Sequence, residues 1–193
     1  MQYKKKETAD KLLEEAMAEF LDKGYRTGSI TAIAERAGVP IGNLYRYFDG
    51  KQGILDALVK QFYQTFPSMI ERLSYVDKEL MVDVPQLLEY LTTLVQNLID
   101  QYGKVMILLV DKCATTRYED FLDKIIDQVA NIVHIKLYEK FNSDMDRLIS
   151  KIASKAFIHS IIDILRLELP REKNEEIILR VLNFYFHDLQ ERI

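Results

Sequence analysis

The 193 residues are 48% apolar and 29% charged, a balance that predicts a packed interior and excludes a disordered or fibrous chain. A single cysteine, Cys113, excludes an internal disulfide, and "VMILLV", an uninterrupted apolar run near the middle, falls far short of the roughly 18 residues of a membrane span. The start, "MQYKKKETADKLLEEAM", places acidic residues where a signal peptide needs an apolar stretch, so a reducing cytoplasm is expected.

The net charge of −4 argues against a polyanionic partner only if it is read over the whole chain. Residues 1–53 hold nine Lys/Arg against eight Asp/Glu, so the acidic excess belongs to the remainder. Six of the seven glycines also lie in those 53 residues, which concentrates tight turns at the front.

In chain order, Ala9, Leu12, Leu13, Ala16, Met17, Phe20 and Leu21 form the apolar stripe of a first helix, with Gly24 expected to end it in the left-handed region. Ser29 is suited to cap a short second helix that turns Ile30, Ile33, Ala34 and Ala37 inward and stops at Gly38. "GVP" then leads into another short helix. Two short helices joined by a glycine-containing turn predict a helix-turn-helix, with the first helix packed across both. On a helical wheel Ile41, Leu44 and Phe48 share one arc while Gly42 and Arg46 lie opposite, flanked by Asn43, Tyr45 and Tyr47. That outer face carries groups able to reach phosphates and base edges, and glycine permits close approach to a groove. Lys51 opens a fourth helix, where its ammonium and the leading N–H groups are suited to a phosphate.

"SITAIAERAGVPIGNLYRYFDGKQGIL", with the first helix ending in "DKGY", resembles the DNA-binding segment of the tetracycline-repressor (TetR) family of bacterial transcription regulators, from about Lys6 to Leu58. The resemblance implies DNA contacts from Ser29, Ile41, Gly42, Asn43, Tyr45, Arg46, Tyr47 and Lys51. Pro40 and Gly50 depart from it, standing where a hydroxyl residue is common, and Ile41 where a polar one is frequent. Ile41 has two readings: completion of the inner arc, or contact with a thymine methyl.

Beyond Leu58 the sequence shows long amphipathic helices without strand signals. The fourth helix carries Leu55, Leu58, Val59, Phe62, Phe66, Met69, Ile70 and Leu73, with Pro67 expected to bend it. A helix to Tyr102, a short apolar one after Gly103, and a further one in "YEDFLDKIIDQVANIVHIKLYEKF" follow. Phe62, Phe66, Met69, Tyr90, Met106, Val110 and Phe121 are candidate lining for a small-molecule pocket, against the alternative of simple core. The last two helices are apolar around much of their circumference, so Phe157, Ile161, Leu165, Leu182, Phe184, Phe186 and Leu189 are candidates for a four-helix interface between two copies, with burial inside one chain the alternative.

His134, His159, His187 and Cys113 fall into no catalytic or metal-binding spacing, so neither an enzyme nor a cofactor protein is expected. The expected architecture is all-α with about nine helices: a helix-turn-helix domain at residues 1–50 and a helical ligand-binding and dimerisation domain at 51–193. The resemblance implies a homodimeric repressor that releases an inverted-repeat operator in double-stranded DNA when a small-molecule effector binds. A helical small-molecule carrier with a vestigial helix-turn-helix is the alternative.

Overall fold

The computed structural model describes residues 2–76, 80, 83–137 and 143–187. Among the described residues there are eight α-helices, one π-helical turn and no strand. We label them α1 (Gln2–Thr27), α2 (Ile30–Ala37), α3 (Ile41–Leu44), α4 (Gly50–Ser74), α5 (Val84–Ile107), α6 (Phe121–Leu137), α7 (Asp144–Arg166) and α8 (Arg171–Phe186). The π-helical turn, Leu108–Lys112, follows α5 directly. No helix among these is long and apolar enough to cross a membrane.

The helices form two compact units, Met1–Phe66 with Lys104–Asp120, and Pro67–Gly103 with Phe121–Ile193. The division falls inside α4, between Phe66 and Pro67, rather than at the expected boundary of residues 50 and 51. The reason is that Ile54, Leu55, Val59 and Phe62 of α4 are all buried in the first unit, so its opening turns are part of that interior.

In the first unit the predicted stripe of α1 is realised by Leu12, Ala16 and Phe20, which are fully buried together with Ile33 and Leu44. Each such large side chain contributes about 1.5–3 kcal/mol by leaving water. Gly24 breaks α1 at φ 78° and ψ 157°, a combination closed to side chains with a Cβ, and one further turn carries the chain to Thr27. Gly28 is required for a different reason, namely space: a Cβ there would lie 2.8 Å from Cδ1 of Phe20. The segment Lys104–Asp120 completes this unit, with the π-helical turn packed on α1.

In the second unit Leu87, Leu88 and Leu91 of α5 pack with Ile161 and Ile164 of α7 and Ile178 and Leu182 of α8. Helix α5 runs straight through Gly103 instead of breaking there as expected. A Cβ at Gly103 would lie 3.0 Å from Cδ2 of Leu165, so the glycine serves the close approach of α5 to α7 rather than a turn. Helix α6 packs along α7, where Ser150 and Ser154 are buried and Lys151 pairs with Asp127 at 2.7 Å. Ser143 and Asp146 form a reciprocal capping box at the start of α7.

Candidate DNA-binding surface

The surface is assembled from the turn between α2 and α3. Ser29 caps α2, its Oγ accepting from the Ala32 amide at 3.3 Å. At the other end Gly38 adopts φ 68° and ψ 31°; its N–H donates to the Glu35 carbonyl at 3.0 Å and that of Val39 to the Ala34 carbonyl at 2.9 Å. These two bonds are a Schellman closure, which turns the chain sharply and satisfies the last carbonyls of α2. Pro40 follows as the N-cap of α3, and its carbonyl accepts from Asn43 and Leu44 at 2.8 and 3.4 Å.

Helix α3 is shorter and tighter than the wheel assumed. After one turn the N–H groups of Arg46 and Tyr47 reach back three residues, to Asn43 and Leu44, at 3.0 and 2.9 Å. The Phe48 N–H reaches back four, to Leu44, at 3.1 Å. Leu44 is the one fully buried side chain of the segment, while Phe48 and Tyr47 are half-buried, their rings 6.4 Å apart. Gly42, Asn43 and Arg46 are exposed, as are Tyr45 at 56% and Ile41 at 43%. Ile41 thus stands outside the inner arc.

Two other residues implied in DNA contact carry structural bonds. Ser29 is half-buried, its amide donating to Glu19 Oε1 at 2.9 Å. The Lys51 ammonium donates to the Arg26 carbonyl at 3.0 Å and sits 5.0 Å from the centre of the Tyr25 ring. Burial lowers its pKa, with the Glu19 charge pulling the other way.

Two clusters that brace this head escaped the sequence reading. Glu19 is only 2% exposed, and its carboxylate accepts from the Ser29 amide, Arg36 Nη1 at 2.8 Å and Lys23. Burial by itself would raise the Glu19 pKa, but the Ser29 amide, the Arg36 guanidinium and the Lys23 ammonium outweigh it and hold the carboxyl down at about 2. Arg36 also holds Glu15 at 3.0 Å, so two turns of α1 are tied to the end of α2. In the second cluster Asp56 Oδ1 accepts from Gln52, Tyr118 and Arg117 at 2.8, 2.8 and 2.7 Å, while Tyr25 donates to Gln52. Those residues are scattered from 25 to 118, and no local pattern announces their meeting.

The candidate pocket residues are less uniform. Phe62, Phe66, Met106 and Phe121 are buried, Met69 and Val110 are half-buried, and Tyr90 is exposed. Of the candidate dimer residues, Ile161, Leu165 and Leu182 are buried within the chain, so their area is already covered and they present no surface to a partner. Phe157 and Phe186 pack half-buried against the same interior, and Phe184 is exposed; Leu189 lies outside the described residues. Among the described residues no three His, Cys, Asp or Glu side chains are grouped to hold a metal ion. Cys113 is fully buried, which pushes its thiol up to about 11 against the opposing hydrogen bond with Thr116.

A capped short helix, a Schellman turn and a second short helix with an exposed polar face make this unit a helix-turn-helix head within an all-helical chain. The family model for bacterial regulatory proteins, tetR family, matches residues 12–58, which run from the core of α1 into α4. The chain is 36% identical over 64 residues to the Bacillus subtilis (strain 168) protein "Probable HTH-type transcriptional regulator YttP", a match covering 33% of this chain and 31% of that protein. With YvkB of the same organism the identity is 35% over 65 residues, so the curated relatives are matched over about a third of their length.

Solved structures extend the likeness in fold to nearly the whole chain. NalD, described as the secondary repressor of the MexAB-OprM multidrug efflux pump in Pseudomonas aeruginosa, has a TM-score of 0.59 at 21% identity, covering 95% of this chain and 97% of its own. A SmeT–triclosan complex (TM-score 0.58, 19% identity, 92% and 90% covered) and CifR with a 26 bp operator (0.58, 15%, 90% and 95%) share the fold. Residues 12–58 thus resemble the tetR family of bacterial regulatory proteins, and beyond them the likeness is one of fold.

Proposed function

We propose that the chain is a cytoplasmic, homodimeric transcriptional regulator, a repressor that releases an inverted-repeat operator when a small molecule binds the helical region 51–193. The observation that carries this reading is the outer face of α3 and the turn after it: Ile41, Gly42, Asn43, Tyr45 and Arg46 are all exposed around the single buried anchor Leu44. A core-forming helix of this size would spend its tyrosine and isoleucine inward; this one holds them out beside an arginine.

In this reading Arg46 and Asn43 read base edges, Ile41 meets a thymine methyl, and the phenol hydroxyls of Tyr45 and Tyr47 donate to phosphates while Gly42 allows close approach. Ser29 keeps its hydroxyl hydrogen for a phosphate, since its oxygen is the atom engaged in capping α2. Lys51 gives one ammonium hydrogen to the Arg26 carbonyl and keeps two for a phosphate met together with the N-terminus of α4. A twofold dimer places two such heads on successive major-groove faces, about 34 Å apart. Phe157, Phe184 and Phe186 supply exposed or half-exposed area for that contact. The candidates for effector contact divide between the units, Phe62, Phe66, Met106 and Val110 in the first and Met69, Tyr90 and Phe121 in the second. The complexes of CifR with operator DNA and of SmeT with triclosan support both halves of the reading by analogy of fold.

Selection of bound sequences from random duplex DNA, followed by titration of the best site at two salt concentrations, tests it. An inverted repeat bound with steep salt dependence is expected. Folded protein that enriches no sequence would refute the proposal.

A further inference from the structure

A polar side chain buried in a helix bundle needs a partner for each of its polar atoms. Gln96 of α5 is 1% exposed, and its Nε2 donates to Asp100 Oδ1 at 2.7 Å. Asp100 is itself held by the Arg171 guanidinium, which Glu175 fixes in turn at 2.9 Å. Since a carboxylate only accepts, this chain of bonds fixes the amide's orientation: its NH₂ faces Asp100 and its carbonyl oxygen faces away. That Oε1 is buried and has no hydrogen-bond partner among the described residues.

One turn earlier on the same side of α5, Thr92 Oγ1 is also buried and without a partner among the described residues. Three helical hydroxyls satisfy themselves on the carbonyl four residues back, Thr65 on Gln61, Ser150 on Asp146 and Ser160 on Ala156, each at 2.9 Å, whereas Ser154 of α7 has no such bond among the described residues. Thr92 does not. Two unpaired polar atoms, one held in place by an anchored amide, are costly to bury unless something else meets them.

We propose that Gln96 Oε1 and the Thr92 hydroxyl bind the polar end of the effector, and that this effector is an uncharged amphipathic molecule carrying an O–H or N–H donor. Oε1 accepts that hydrogen, and the threonine hydroxyl pairs with the same group. Arg171 already meets the Asp100 charge, so this network offers no counter-ion to a charged ligand. The inference rests on the ligand-responsive reading above and names the class of molecule.

The test uses the full chain with two probes of matched shape, para-hexylphenol and its methyl ether, measured by calorimetry and by release of the selected operator. The wild type is expected to bind the phenol about tenfold more tightly than the ether, the effect of one buried hydrogen bond. Gln96→Leu should abolish the preference while leaving operator affinity without probe intact, and Thr92→Val, a smaller change, should narrow it severalfold. Equal binding of the two probes by the wild type, binding of neither, or a preference that survives in both variants would overturn the inference. Operator release by both probes alike would sink this inference yet leave the ligand-responsive reading standing, whereas a wild type that binds no operator sinks that reading itself.

Discussion

Replacing Glu19 by Gln tests whether one buried carboxylate locks α1 to α2. The folded carboxyl is held at about 2 against an ordinary 4.5, a gap equivalent to about 3 kcal/mol of preference for the charged form. The side chain of its main partner, Arg36, is 40% exposed, so solvent screening reduces the expected loss to about 2 kcal/mol. Glutamine keeps an oxygen for the Ser29 amide but turns an NH₂ toward a guanidinium, donor against donor. The assay is urea unfolding of both proteins at one fixed protein concentration, from near neutral pH down to about pH 3, because dimerisation would couple stability to concentration. A carboxyl with a depressed folded pKa stabilises above its unfolded value and loses that contribution as pH falls from 4.5 toward 2. The gap between wild type and Glu19→Gln should therefore be full near neutrality and less than half as large near pH 3. A gap that stays constant with pH, or one below about 0.5 kcal/mol at neutrality, would refute the reasoning.

Gly28→Ala should destabilise by about 1–3 kcal/mol, because the new methyl meets the Phe20 ring; an unchanged melting temperature would show that the ring yields freely. In operator titrations Tyr45→Phe should weaken binding to all sequences alike, whereas Arg46→Ala should relax preference at one base position by about 1–3 kcal/mol. A uniform loss from Arg46→Ala would make it a phosphate contact instead. Cys113, with its thiol raised to about 11, should resist iodoacetamide in the native protein and react promptly in denaturant. Comparable rates in both states would place that thiol at a surface. Lys51→Met retains the aliphatic stem and removes the bond to Arg26, so urea unfolding should register a loss of about 1 kcal/mol even without DNA.

The reading head was largely legible because its boundaries are chemical: Ser29 as cap and Gly38 as left-handed stop mark α2 at both ends. Less of its interior was. The wheel for residues 41–48 puts Ile41 on the inner arc with Leu44 and Phe48, yet at the first position of α3 Ile41 is 43% exposed. Glu19 reads as one more charge on a solvated helix face, since nothing nearby in sequence announces that Ser29 and Arg36 will enclose it. Gly103 reads as a break, yet its use depends on Leu165, 62 residues away and invisible to local pattern. In the last two helices a wide apolar circumference cannot by itself separate area buried within one chain from area offered to another, which is why Ile161, Leu165 and Leu182 were placed among interface candidates. The eight exposed or half-buried DNA-contact candidates came from the ordered motif as a whole, which constrains residue types over far more positions than any single helix.

The bond from Lys51 to the Arg26 carbonyl closes a ring of chain that contains α2, the Schellman turn and α3. A ring of this length costs entropy to close once, and thereafter its contents are tethered at both ends to the same spot. Tilting the first turn of α4 consequently carries the base of the ring with it, so Arg46 travels as cargo on a closed hoop rather than as the tip of a free arm.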